Sequence, residues 1–310
     1  MNRGSRVTGY GTALPDRVIT NHDLAQTLDT SDTWITERTG IKERRIGGTT
    51  RALGIEAARK ALDMAAVAPR DLDGVILATT TPDRVIPATA SSVQLELGAR
   101  CGAFDLNAAC SGFVYGLNVA HGLILAGADH ILLVGSETLS RFVDWEDRGT
   151  AVLFGDGAGA VVLSATAGDD NALLGWALDC QGALEKSLYC DFGGFIHMDG
   201  REVFRQAVRI MVSTCETALA AAGLSTDEVD LVIPHQANIR IIRSACQKLG
   251  LSEDRTVQVL SWTGNTSSAS IPLALADAAG SGRLAGGDIA LMVGFGAGMT
   301  SASALLRWTL

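Results

Sequence analysis

Asp71-Leu-Asp-Gly-Val-Ile-Leu-Ala78 decides the fold, because the chain contains a second version of it, Asp227-Glu-Val-Asp-Leu-Val-Ile-Pro-His235. Each copy follows a helix-forming run, Ala57-Ala-Arg-Lys-Ala-Leu-Asp-Met-Ala65 before the first and Cys215-Glu-Thr-Ala-Leu-Ala-Ala-Ala-Gly223 before the second. Asp73 falls on Asp230 at an offset of 157. Further along, His130-Ile-Leu-Leu-Val-Gly135 matches Asp288-Ile-Ala-Leu-Met-Val-Gly294 at an offset of 159. Two similar offsets, each near half the chain, predict a duplicated helix-strand-helix-strand unit. Chance likeness between generic α/β segments is the alternative.

The apolar runs 75–78, 131–134, 160–163, 231–233 and 289–293 are short and lack polar alternation. Such runs predict strands buried on both faces. Helical spacing covers 52–66, 88–98, 111–126, 203–223, 237–249 and 267–279. Strand alternating with helix predicts parallel-rich sheets with helices on both sides. Two such units pack most economically as α/β/α/β/α layers, with halves 1–165 and 166–310. Gly155-Asp-Gly-Ala-Gly159 is not a dinucleotide loop, since an apolar strand follows it rather than a helix. It is expected to be a tight connection between strands.

Composition narrows the function. A chain of 310 residues with 47% hydrophobic content can bury a large core. The net charge of −9 argues against general nucleic-acid binding, which needs a basic footprint. No apolar run approaches the roughly 18 residues of a membrane span, and the first residues carry no signal-peptide core. The six cysteines form no Cys-x-x-Cys pair, which suits a reduced, cytoplasmic compartment.

Cys110, in Asn107-Ala-Ala-Cys-Ser-Gly-Phe113, sits where the predicted strand 101–107 gives way to helix 111–126. A helix N-terminus favours a thiolate, so Cys110 is a candidate nucleophile. The competing reading is a small buried residue, a common fate of free cysteine. Near the 157 offset its counterpart is Ser267, so the Asn265 turn and the Cys110 turn are expected to face one central region. His235 directly follows a buried-type strand, where ligands bind in open α/β sheets. It can move protons, or it can merely cap helix 237–249. Asn265 is a neutral donor or a simple helix N-cap. Cysteine, histidine and asparagine in this order also occur in papain-like proteases, but their Cys-Gly-Ser-Cys-Trp signature is absent.

Six collinear stretches carry a more specific likeness. They are Asp29-Thr-Ser-Asp-Thr-Trp-Ile-Thr-Glu-Arg-Thr-Gly-Ile41, Ala108-Ala-Cys-Ser-Gly-Phe113, the segment Asp147-Arg-Gly-Thr-Ala-Val-Leu-Phe-Gly-Asp-Gly-Ala-Gly-Ala160, Gly200-Arg-Glu-Val-Phe204, Pro234-His-Gln-Ala-Asn238 and Gly264-Asn-Thr-Ser-Ser-Ala-Ser-Ile-Pro272. With these the chain resembles the β-ketoacyl-acyl-carrier-protein synthase III family of the thiolase-like superfamily. The resemblance implies the duplicated five-layered fold, a homodimer and no cofactor beyond the thioester substrates. It implies acyl transfer from acyl-CoA to Cys110, then decarboxylation of malonyl-acyl-carrier protein assisted by His235 and Asn265. The enolate then condenses with the acyl group, the step that initiates fatty acid synthesis. Cys110 is expected to react as a low-pKa thiolate.

The same resemblance assigns the oxyanion hole to the backbone N–H groups of Cys110 and Ala297. It implies that Trp34 and Arg148 sandwich the CoA adenine, with Arg38 beside them. Asn238 would touch the pantetheine arm, Phe295 would shield the nucleophile, and Ile86 would reach the acyl pocket across the dimer. Arg201, Arg205 and Arg209 share a helical face, and Arg240, Arg243 and Lys248 follow His235. They are candidate docking points for an acidic carrier or CoA phosphates, or else ordinary solvated faces. Two other outcomes stay open: an acyltransferase of specialised metabolism, and a partner subunit without activity. A thiolase does not fit, because no cysteine follows Cys246.

Overall fold

The computed structural model describes residues 3–310. The first sheet runs in the order Arg3–Ala13, Asp156–Ala167, His130–Thr138, Gly74–Ala78, Gly102–Leu106. Gly74–Ala78 is parallel to both neighbours, and Asp156–Ala167 is antiparallel to both of its own. The second sheet runs Leu231–Pro234, Ile289–Phe295, Thr300–Arg307, Leu173–Cys180, one parallel pair followed by two antiparallel ones. It repeats the first sheet from Gly74–Ala78 to Arg3–Ala13. The likeness between Asp73 and Asp230 is therefore a duplication in space.

The helices Gly112–Leu125 and Ser270–Gly280 lie between the sheets. Phe113, Leu117 and Ile271 share one core with Ile76 and Leu133 of the first sheet and Ile233 and Met292 of the second. Each such side chain, fully buried, contributes roughly 1.5–3 kcal/mol. Gly116 allows the close approach, since a Cβ there would stand 2.4 Å from Leu133 Cδ1. Thr50–Ala65 covers the outer face of the first sheet, and Gly200–Ala222 with Ile239–Leu249 covers that of the second. The layers are α/β/α/β/α, as expected.

The predicted helices hold to within three residues. Two starts shift by three residues: the helix predicted from 267 becomes α-helical at Ser270, after a 3-10 turn, and that predicted from 203 begins at Gly200 because Asp199 caps it, accepting from the N–H groups of Arg201 and Glu202. Gly155–Gly159 departs from expectation: Asp156 to Gly159 are strand, not a connection. The glycines are there for packing. A Cβ on Gly159 would stand 2.7 Å from Pro272 Cβ, and one on Gly155 would stand 2.4 Å from the Thr263 carbonyl.

Candidate active site

Two turns of the same construction meet at the centre. A short 3-10 turn, Ala109–Ser111, opens the helix Gly112–Leu125, and another, Ser267–Ala269, opens Ser270–Gly280. Each begins with a non-glycine residue at positive φ, Ala109 at 48° and Ser267 at 47°. Such strain costs on the order of 1–3 kcal/mol and clusters at functional sites. This alignment corrects the sequence register. The counterpart of Cys110 is Ser268, not Ser267, because the loops between repeats absorb single insertions and let the offset drift. The turns touch: a Cβ on Gly112 would be 3.5 Å from Ser268 Cβ, and one on Gly135 would be 2.5 Å from the Ser268 carbonyl.

Cys110, His235 and Asn265 line one cavity of about 730 Å³. All three are buried, as is Phe295, whose ring meets His235 edge-on at 5.5 Å. His235 is not a helix cap; Asn238 fills that role by accepting from the Arg240 N–H. His235 Nδ1 lies 2.7 Å from Ser270 Oγ, which also accepts from the Gln236 N–H at 3.3 Å. A serine proton pointed at Nδ1 leaves Nε2 as the N–H donor, the tautomer in which the ring can serve a substrate oxygen. Burial pushes His235 down to about 3, so the ring is neutral. Asn265 Oδ1 accepts from the Ser267 N–H at 2.9 Å. The cap-like reading of Asn265 thus holds for its oxygen only, and Nδ2 is the free end of a side chain that lines the cavity.

The low-pKa thiolate is not what the resting site holds. Burial pushes the Cys110 thiol up to about 12, and the buried Glu137 carboxyl adds to the rise. The Ser267 hydroxyl and the Cys110 backbone N–H act the other way but are outweighed. The Gly-rich turn lies directly on the nucleophile turn. A Cβ on Gly296 would stand 2.5 Å from the Cys110 nitrogen, and one on Gly294 would stand 3.2 Å from the Cys110 carbonyl oxygen. Among the described residues, the N–H groups of Cys110 and Ala297 donate to no backbone carbonyl, and that of Cys110 bears on its own sulfur. They are available to a substrate oxygen.

Trp34, Arg38, Arg148, Asn238 and Arg240 line the same cavity. Arg38 and Arg148 both lie over the Trp34 ring, each 4.9 Å from its centroid. An aromatic base between Trp34 and Arg148 needs about 7 Å, two van der Waals contacts, so the expected sandwich is closed here. Asn238 also holds the Arg38 carbonyl at 2.9 Å. Ile86 does not line this chain's cavity and is 82% exposed. Leu188 and Met198, from the short hairpin inside 180–199, do line it. Of the basic side chains, Arg205 pairs with Glu202 at 2.6 Å and Arg243 with Glu253 at 2.9 Å. Arg209 bonds Gln181 and Gln206, Arg240 stacks on Phe204, and Lys248 is exposed.

Sequence reasoning missed Ser270, which holds His235 Nδ1, and Glu137, buried beneath the two turns. The sequence signal for Glu137 was a carboxylate placed two residues after the buried strand 131–134 and Gly135.

The family model of 3-oxoacyl-[acyl-carrier-protein] synthase III matches residues 104–182, and that of its C terminal matches 219–308. The chain is 48% identical to the β-ketoacyl-[acyl-carrier-protein] synthase III of Rhizobium rhizogenes, covering 98% of this chain and 99% of that one. The crystal structure of the corresponding synthase III from Aquifex aeolicus superposes with a TM-score of 0.96 at 47% identity, over 98% and 100% of the two chains. A priming β-ketosynthase of the R1128 polyketide pathway superposes with a TM-score of 0.95 at 36% identity, over 99% and 97%. Layers and likeness together define a thiolase-like condensing enzyme, one that transfers acyl groups. The chain belongs to the β-ketoacyl-[acyl-carrier-protein] synthase III family.

Proposed function

We propose that this chain condenses an acyl-CoA primer with malonyl-acyl-carrier protein, initiating fatty acid synthesis through an acyl-Cys110 intermediate. The observation that carries this reading is the convergence of buried Cys110, His235 and Asn265 on one cavity that also has Trp34 and four arginines along its walls. In the first stage Cys110 Sγ attacks the thioester carbonyl, and the oxyanion is held by the N–H groups of Cys110 and Ala297. The C–S bond to CoA breaks, and the thiol proton ends on the departing CoA sulfur. The exchange is proton-neutral overall, so a thiol held near 12 needs no standing thiolate.

In the second stage the malonyl group loses CO₂. The enolate oxygen takes hydrogen bonds from His235 Nε2 and Asn265 Nδ2, each worth about 3 kcal/mol as an oxyanion donor. A neutral His235 suits this role, because it donates without adding a buried charge. The enolate carbon attacks the acyl-Cys110 carbonyl, the C–S bond breaks, and the released thiolate takes a proton from water. No cofactor beyond the two thioesters enters this scheme. Arg38 and Arg148 would meet CoA, with the Arg148 guanidinium swinging off Trp34 to admit the base. Asn238 would face the pantetheine arm and Phe295 would screen the nucleophile. Arg205, Arg209, Arg240, Arg243 and Lys248 would draw the acidic carrier.

A homodimer is part of the proposal. Val85, Ile86 and Leu95 are each more than 75% exposed, and the edge strand Gly102–Leu106 presents Phe104. An apolar patch beside an open sheet edge calls for a cover, and a second copy would supply one. Ile86 would then reach the partner's cavity. Six free cysteines suit a cytoplasmic enzyme, and among the described residues no helix is long and apolar enough to cross a membrane. The test is intact-mass measurement after incubation with a panel of acyl-CoAs. An acyl adduct lost in Cys110→Ala is expected; an adduct that survives it would overturn the assignment. Primers outside fatty acid synthesis would favour the polyketide-type reading.

A further inference from the structure

Glu137 is a fully buried carboxyl that the scheme above leaves without a role. It ends the strand His130–Thr138 and faces the point where the two halves meet. From the first half it accepts from Thr79 Oγ1 at 3.1 Å, the Thr80 N–H at 3.0 Å, Thr80 Oγ1 at 3.1 Å and Thr81 Oγ1 at 2.6 Å. From the second half it meets Ser268 Oγ at 2.9 Å, and that same hydroxyl lies 2.7 Å from the Ala78 carbonyl. Ser268 is thus seated between the end of strand Gly74–Ala78 and Glu137. Its neighbour Ser267 supplies the N–H that holds Asn265 Oδ1.

We propose that Glu137 is a positioning residue for the decarboxylation step: through Ser268 it clamps the Asn265 turn onto the first half and so sets the Asn265 amide against Cys110. The inference rests on the role given to Asn265 above. Two further observations support it. Ser267 stands at positive φ, a conformation that persists only where surroundings enforce it, and the Ser268 anchor is the adjacent residue. The Ser267 hydroxyl also favours the ionised forms of both Cys110 and Glu137. A donor displaced by about 1 Å can cost roughly 100-fold in rate.

The clamp acts through hydrogen bonds, so an amide at 137 keeps it: Gln accepts from Thr80 N–H with its oxygen and donates to Ser268 with its nitrogen. The full-length enzyme is assayed separately for acyl loading, by intact mass, and for malonyl decarboxylation, by CO₂ release. Glu137→Ala should lower decarboxylation 10- to 100-fold while loading stays within about threefold, and Glu137→Gln should restore most of the loss. An equal fall in both half-reactions, or no fall in decarboxylation, overturns the proposal. Ser268→Ala, which removes one hydroxyl, carries the test if Glu137→Ala fails to fold; it should lower decarboxylation several-fold with loading intact, and unchanged decarboxylation overturns the proposal. Asn265→Ala is run alongside. If it leaves decarboxylation intact, the Asn265 role falls and the positioning role with it. If it impairs decarboxylation while both clamp variants do not, only the Glu137 proposal falls.

Discussion

Ser270 Oγ sits 2.7 Å from His235 Nδ1, and the pair decides which nitrogen of the ring can donate. In the proposed chemistry Ser270, which accepts from the Gln236 N–H, donates to Nδ1, and Nε2 carries the ring's hydrogen. Ser270→Ala should therefore leave acyl loading within about twofold and lower malonyl decarboxylation roughly tenfold. Separate assays of the two half-reactions check this; a proportional loss in both would show that Ser270 only supports the fold.

The buried Cys110 thiol should stay protonated across the physiological range. With its pKa pushed up to about 12, alkylation at Cys110 should rise about tenfold per pH unit through pH 9 and 10, with no plateau. Peptide mass spectrometry separates this site from the exposed Cys180 and Cys190. A plateau below pH 9 would mean a thiolate is already standing in the resting site.

His235 gives stability a pH slope whose sign follows from its depressed pKa. The unfolded chain binds its proton near 6.5 and the folded chain only near 3, so stability is lost as pH falls through that window. Glu137 and Asp156, whose pKa values are raised by burial, act in the opposite sense, losing stability as pH rises. The His235 contribution is therefore read as a difference. Between pH 7 and pH 5, urea unfolding should show wild type losing about 2 kcal/mol more than His235→Asn.

Gly296→Ala should strike the nucleophile turn directly. The new Cβ would stand 2.5 Å from the Cys110 backbone nitrogen, whose N–H the proposed scheme offers to the substrate. Loading by acyl-CoA should fall at least about 100-fold, the scale of losing one oxyanion donor, and the melting temperature should drop. Loading at the wild-type rate would remove the Cys110 N–H from the oxyanion hole.

The duplication was legible at Asp73 and Asp230 because strands buried on both faces must be apolar throughout, a pattern that survives divergence. Cys110, His235 and Asn265 were legible because each ends or begins an element of that repeat. Gly155–Gly159 was not, since its glycines answer to Pro272 and Thr263, partners more than 100 residues away. The protonation state of Cys110 was equally hidden: the turn that holds it is written locally, but the burial that raises its pKa comes from both halves at once. The Trp34 stack was readable as residue types and unreadable as geometry, because two arginines compete for one ring.

The matched positive-φ residues Ala109 and Ser267 say something about what the repeat became. One backbone device occurs twice, yet the copies differ in what they carry: one elbow holds the Cys110 thiol, and the other a hydroxyl seated on Glu137 and the Ala78 carbonyl. A chain cut between its repeats would therefore yield a thiol without its proton-bearing partners and a brace with nothing to hold. The ancestral symmetry has been spent on a division of labour, and exchanging the residues at 110 and 268 would not move the site to the other elbow; it would leave the molecule with none.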